Sequence, residues 1–176
     1  GYYKLKFTLE KFKINLKDKV CADFGSSTGG FIQAILEKNP KKIYSIETSK
    51  NRLHFMLKED KRIILLDKTN ALHINLPEKA DFISIDVGWT SQKLVIPSAL
   101  KNLKENGTII SLIKPHYESK IKNPNSEELE EILEKVTNEI KEIAQIIEII
   151  ESPIKGAKGK NTEYLILIKP YDKTKE

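Results

Sequence analysis

Cysteine is almost missing from these 176 residues, with Cys21 standing alone. No intrachain disulfide can form, and no thiolate-rich zinc site can be assembled. That usage fits a reducing cytoplasm, with Cys21 as a small buried residue of the first strand. Arginine is nearly as scarce: Arg52 and Arg62 are the only two, so the 30 basic residues are almost all lysines. His54, His73 and His116 are scattered without metal-ligand spacing, and no metal is expected. No apolar run reaches the roughly 20 residues that span a bilayer, and the first residues lack the basic and apolar zones of a signal peptide. A membrane partner is therefore not expected. Repeats and low-complexity tracts are absent as well.

Charged residues make up 31% and hydrophobic residues 39% of the chain, the balance of a soluble globular protein. Its length suits one domain over residues 1–176, divided into an N-terminal helical segment within 1–16 and a sheet core over 17–170. The formal net charge is +5, and the isoelectric point is near 9.1. A polyanionic partner such as a phosphate backbone is consistent with that sign.

Apolar periodicity predicts alternating strands and helices. Leu5, Leu9 and Phe12 lie at helical spacing within Lys4–Phe12. Strands are expected at Val20–Phe24, Ile43–Glu47, Ile63–Leu66, Phe82–Asp86, Thr108–Ile113, Ile143–Glu151 and Glu163–Ile168, with Asn106-Gly107 read as the turn before the fifth. Helices are expected at Phe31–Lys38, about Lys50–Lys58, and Glu127–Ile140 with Ser126 as N-cap. Near-continuous apolar strands alternating with helices predict an α/β fold, a doubly wound and mostly parallel sheet of seven strands. The last two strands form a hairpin that adds an antiparallel strand.

The segment Val20–Phe31 runs from an apolar strand through Gly25-Ser26-Ser27-Thr28-Gly29-Gly30 into a helix, which is the form of a nucleotide or S-adenosylmethionine (SAM) loop. Phe31 follows the glycine pair where a triphosphate loop needs Lys, and Ser27 stands where a dinucleotide fingerprint needs its second glycine. In open α/β sheets, ligands bind beyond the carboxyl ends of the strands. Asp23 and Gly25, Glu47, Asp67 and Asn70, Asp86, and Lys114 all fall at such ends. Glu47 lies about where an acid would accept hydrogen bonds from ribose hydroxyls, or it is a solvated strand-end acid. Asp86 could equally cap the next helix, Lys114 could be a solvated lysine, and Glu163 an exposed edge-strand acid.

Taken in order, Asp23-Phe24-Gly25-Ser26-Ser27-Thr28-Gly29-Gly30-Phe31, Asp86-Val87 with Lys93 downstream, Lys114-Pro115-His116-Tyr117-Glu118, Ser152-Pro153-Ile154-Lys155-Gly156 and Asn161-Thr162-Glu163-Tyr164 resemble the TlyA family. These are hemolysin-like ribosomal RNA 2′-O-ribose methyltransferases, related to the FtsJ-type RNA methyltransferases. The resemblance spans about Lys4 to Lys169. It implies a Rossmann-like SAM-dependent methyltransferase fold and a catalytic tetrad of Lys4, Asp86, Lys114 and Glu163, with Lys6 as the alternative to Lys4. A ribose hydroxyl is a poor acid, and a lysine kept neutral by neighbouring cations or desolvation can serve as its base. Lys114 is assigned that role, with Asp86 orienting it and Lys4 and Glu163 holding the hydroxyl.

For SAM, the resemblance implies contacts from Asp23, Gly25, Ser26, Ser27, Thr28, Gly29, Gly30 and Phe31, ribose binding by Glu47, adenine-edge contacts near Asp67 and Asn70, and a contribution from Asp86. Trp89 departs from the family's serine-aromatic pair and is read as packing, with base stacking as the alternative. Lys155, Lys158 and Lys160 form a basic loop suited to phosphates or a solvated linker. Ribosomal RNA or a ribosomal subunit is the implied partner. Family members usually carry an S4-type RNA-binding domain ahead of this one, so the resemblance implies either such a domain upstream of Gly1, the expectation favoured by a start without Met, or a protein that reaches RNA without it. The alternative functions are a hemolysin-like or non-catalytic RNA-binding protein and a SAM enzyme for another substrate.

Overall fold

Successive β residues point to opposite faces, and in this chain that alternation sorts the core into two layers. In the computed structural model, which describes residues 1–50, 52–156 and 161–172, β1 (Val20–Phe24) is buried at every position. Val20, Ala22 and Phe24 face one hydrophobic layer, while Cys21 faces the other. The first layer is closed by α4 (Gln92–Lys101) and α6 (Ser126–Lys141) through Val95, Ile96, Ala99, Ile132, Val136 and Ile140. The second is closed by α1 (Tyr2–Lys11) and α2 (Gly30–Leu36) through Leu5, Leu9, Ile32 and Ile35. Each fully buried aliphatic side chain of this kind contributes about 1.5–3 kcal/mol.

Seven strands form one sheet in the order β3-β2-β1-β4-β5-β7-β6. The remaining strands are β2 (Lys42–Ile46), β3 (Ile63–Leu66), β4 (Ala80–Ile85), β5 (Leu103–Ile113), β6 (Gln145–Glu151) and β7 (Tyr164–Lys169). β1 to β5 pair in parallel, and β7 is antiparallel to both β5 and β6. This is the α/β, doubly wound, mostly parallel sheet expected from the sequence, with one antiparallel strand. The order reverses between β1 and β4, whose register aligns Phe24 with Ile85. The residues that follow, Gly25 and Asp86, therefore emerge side by side at the switch point.

Several local expectations change. The third helix, α3, is confined to Phe55–Lys58 and does not begin near Lys50. The His54 N–H is spent on the Thr28 carbonyl at 3.1 Å, and its Nδ1 accepts from the Met56 N–H at 3.4 Å, so the helix can start only after it. Asn106-Gly107 is not a turn ahead of β5 but part of it: Ala80 pairs with Leu103 and Phe82 with Thr108, so two steps on β4 face five on β5, as a bulge. The N-cap of α6 is Asn125, not Ser126, in a reciprocal capping box with Glu128. β6 begins at Gln145 because the Ile143 and Ala144 N–H groups close the end of α6 on the Ile140 carbonyl.

Candidate functional site

The loop after β1 is shaped by what lies beside it. Gly25 has φ +85°, and a Cβ there would come within 2.3 Å of the Asp86 carbonyl oxygen, so only glycine fits. Gly25 and Ser26 both donate backbone N–H bonds to the Ile46 carbonyl, at 2.9 and 3.0 Å, which draws the loop across the end of β2. Gly29 has φ +101° and sits against Leu53 and Leu57. At Gly30 a Cβ would meet the Tyr2 backbone nitrogen at 2.8 Å, which is how α1 comes so close to the start of α2.

Two concavities flank Gly25. One is lined by Gly25, Glu47, Asn70, Leu72, Val87 and Gly88 among others. The other is lined by Gly25, Ser26, Ser27, Thr28, Gly30, Phe31 and Asp86, with Gly1. Glu47 is buried, not a solvated acid: its carboxylate accepts from the Ser27 N–H at 2.6 Å and the Ser49 N–H at 3.3 Å. Asn70 lines the first concavity, and its side chain holds the Leu72 N–H at 2.9 Å. Asp67 is not among the residues that line either one. Phe31 mostly fills the core, at 3% exposure.

Beneath the loop, Asp23 is fully buried. Its Oδ1 accepts from Ser84 Oγ at 2.8 Å, whereas Oδ2 has no hydrogen-bond partner. Burial pushes this carboxyl up to about 7 against the pull of the Ser84 hydroxyl, and the nearby charges of Asp86 and Glu47 push the same way. Asp23 lines neither concavity, so beneath the glycine loop it would favour a cation bound above it through its charge and not by contact. The acids, the loop amides and the apolar wall of Leu72 and Val87 thus fit the ammonium, carboxylate and adenosine parts of SAM.

At the same ends of the strands lie two ion pairs. Lys114 Nζ stands 2.5 Å from Asp86 Oδ1. Lys4 Nζ stands 2.6 Å from Glu163 Oε1, with Lys4 at 13% and Glu163 at 3% exposure. Lys6 points elsewhere, bonding the Tyr2 hydroxyl at 3.2 Å and lying 3.9 Å from Glu37. The alternatives for the other three residues also fall away. Asp86 does not cap α4, whose N-cap is Ser91. Lys114 is half-buried and Glu163 is buried. The two pairs share neighbours: His116 is held below its ordinary value by burial, with Glu163 raising it and Lys114 lowering it.

Sequence reasoning missed three features of the site. Trp89 does not pack into the core: it is 87% exposed, with its ring 4.6 Å from that of Tyr117. The Lys114 ammonium lies 5.5 Å from the centre of the same Tyr117 ring, a cation–π geometry. Gly156 lies directly against the Glu163 carboxylate. A chain reversal that brings Gly156 back to Glu163 leaves no trace in local periodicity. Lys155 is exposed, while Lys158 and Lys160 lie outside the described residues. Among the described residues, no group of three or more His, Cys, Asp or Glu could hold a metal, and no helix is long and apolar enough to cross a membrane.

Comparison with known proteins agrees with this geometry. The FtsJ-like methyltransferase family model matches residues 1–169. The chain is 33% identical over 174 residues to Hemolysin A of Brachyspira hyodysenteriae, covering 92% of this chain and 72% of that protein. It is 40% identical over 116 residues to the 23S rRNA (cytidine-2′-O)-methyltransferase TlyA of Campylobacter jejuni, covering 65% of this chain and 45% of that one. The crystal structure of a hemolysin-named protein from Lactococcus lactis superimposes with a TM-score of 0.89 at 28% identity, covering 96% of this chain and 86% of that chain. The chain spans about half the length of most of the curated relatives that it matches.

Proposed function

This chain belongs to the FtsJ-like methyltransferase family, and on that premise we propose that it is a SAM-dependent 2′-O-ribose methyltransferase acting on ribosomal RNA. The observation that carries the reading is the pair of lysine–carboxylate contacts, Lys114–Asp86 and Lys4–Glu163, beside the Gly25 loop. The cation excess of the surface suits a phosphate backbone.

Gly25 to Gly30 and Glu47 would hold the cofactor above the buried charge of Asp23, with Asn70 at the adenine edge. When bound, SAM supplies a methyl group already activated on a sulfonium, so no metal is called for. Lys114, after giving up a proton of its ammonium to solvent, would use the neutral Nζ to take the proton of the ribose 2′-hydroxyl as that oxygen receives the methyl group. Asp86 holds Nζ in place and stabilises the ammonium that results. Lys4 and Glu163 orient the hydroxyl. General-base assistance of this kind contributes about 10²–10⁴ in rate, and alignment of the reacting atoms contributes at least as much.

Two measurements test the reading. Calorimetric titration with SAM and S-adenosylhomocysteine should show saturable binding that Glu47→Ala abolishes. Transfer of labelled methyl to ribosomal RNA should yield a phosphodiester that resists alkaline cleavage at one position, since a 2′-O-methyl group removes the internal nucleophile. Lys114→Ala should lower that transfer at least 100-fold while leaving cofactor binding intact. Full-rate transfer by Lys114→Ala, or label that leaves alkaline cleavage unchanged, would overturn the mechanism.

A further inference from the structure

Gln92, the first residue of α4, is a buried amide with every strong bond directed at one neighbourhood. It is 3% exposed. Its Nε2 donates to the Leu112 carbonyl at 3.2 Å, and its Oε1 accepts from Ser111 Oγ at 2.6 Å. Its backbone N–H, which has no partner within its own helix, donates to Glu118 Oε1 at 2.9 Å. Leu112 lies two residues before Lys114 and Glu118 four residues after it, so Gln92 is tied to the chain on both sides of that lysine. Gln92 itself lies six residues beyond Asp86, on the segment that carries it. A second tie joins the same two segments, because the rings of Trp89 and Tyr117 are 4.6 Å apart at 36°.

These ties matter because neither carrier is rigid by itself. Lys114 is extended, with φ −113° and ψ 96°, and is followed by α5 (Pro115–Glu118), a single turn that has no stability of its own. Asp86 heads a six-residue connection between β4 and α4. Pairing of β4 with β5 ends at Ile85 and Ser111; beyond it, Asp86 keeps one backbone bond, its N–H to the Phe24 carbonyl at 2.9 Å, and β5 pairs with β7 only as far as Ile113. Glu118 is also costly to keep where it is: burial pushes its carboxyl up to about 7, with the Gln92 N–H pulling it down, Glu139 raising it, and Lys135 and Lys93 lowering it.

We infer that Glu118 and Gln92 are positioning residues that clamp the Asp86 segment to the Lys114 turn, and that the Lys114–Asp86 contact depends on this clamp. Neither residue touches the reacting atoms. The inference rests on the methyl-transfer reading above, and it explains why a half-buried acid sits at the end of a one-turn helix. Misplacement of a catalytic group by about 1 Å can cost roughly 10² in rate.

The test uses Trp89, the only tryptophan of the chain, as a reporter of the clamp. Near-ultraviolet circular dichroism, SAM calorimetry, and kcat and KM for methyl transfer to ribosomal RNA are measured on the whole chain and its variants. Glu118→Ala should lose the Trp89 band and lower kcat 10- to 100-fold while keeping SAM affinity within about twofold. Glu118→Gln should restore both, since an amide oxygen still accepts from the Gln92 N–H. If Glu118→Ala does not fold, Ser111→Ala, which frees Gln92 Oε1, is read in the same way. Wild-type kcat and an unchanged Trp89 band in these alanine variants would overturn the clamp, as would failure of Glu118→Gln to restore them. Absence of methyl transfer by the parent chain would instead overturn the functional reading and leave the clamp to be judged by the Trp89 band.

Discussion

Gly156 and Glu163 meet so closely that any side chain at the first position must push the carboxylate aside: a Cβ on Gly156 would lie 2.8 Å from the Glu163 carboxyl carbon and 2.9 and 3.1 Å from its oxygens. The approach is held by the Gly156 N–H on the Asn161 carbonyl and the Ser152 N–H on the Glu163 carbonyl, both at 2.8 Å. Gly156→Ala must displace the end of a flexible side chain, not backbone, so the fold can absorb it. We expect a melting temperature within about 2 °C of the parent, as for mild substitutions. The Lys4–Glu163 contact cannot absorb it, and kcat should fall tenfold or more with SAM binding retained. Thermal denaturation and methyl-transfer assays on the same preparation check both.

Gly25→Ala should behave in the opposite way. Its Cβ would strike the Asp86 backbone, which cannot rotate away, and alanine disfavours φ +85°. We expect a loss of stability on the order of 1–3 kcal/mol together with loss of SAM binding, read by denaturant titration and calorimetry.

Lys4 and Lys6 are two residues apart on α1, yet only Lys4 reaches a buried carboxylate. Lys4→Ala would strand Glu163 at 3% exposure without its partner, a change that costs up to about 3–5 kcal/mol for buried pairs. Transfer activity should fall at least 100-fold. Lys6→Ala removes a surface contact and should change stability by less than about 0.5 kcal/mol. Equal effects of the two substitutions would contradict the assignment.

Asp23 and Glu118 set a pH dependence. Both are carboxyls whose folded pKa is raised to about 7 by burial, so the folded state retains protons that the unfolded chain releases near pH 4. Stability from these groups is complete below that value and drains away as pH rises through about 7. The ligand-free domain should therefore melt at lower temperature at pH 8 than at pH 5.5. On the proposed function, the ionised Asp23 beneath the Gly25 loop favours the cation of SAM, so SAM should bind more tightly as pH rises over the same range and release a proton in doing so. Asp23→Asn should weaken binding and flatten that dependence, measured by calorimetry in buffers of different ionisation enthalpy.

Much of the site could be read locally because its parts are local signals. Val20–Phe24 is apolar enough to be buried on both faces, and the glycines after it demand a turn. The residues at the ends of β1 to β5 follow from strand boundaries alone. Boundaries failed where a distant group intervened: His54 is drawn to Thr28, and the Asn106-Gly107 pair is absorbed into a bulge against β4. A large aromatic usually buries, which favours packing for Trp89, yet a connection between β4 and α4 offers it no core, only the ring of Tyr117.

Hydrophobic period and turn chemistry act over a few residues, so the alternation of strands and helices, the glycine loop, and the acids and lysines at the strand ends are legible along the chain. Which of those charges meet is settled by the assembled fold. Lys4 reaches Glu163 across 159 residues, and Lys114 reaches Asp86, because parallel pairing of β4 with β5 and the antiparallel entry of β7 bring separate strand ends to one edge. Register between distant strands is a property of the assembled sheet, and no local pattern carries it.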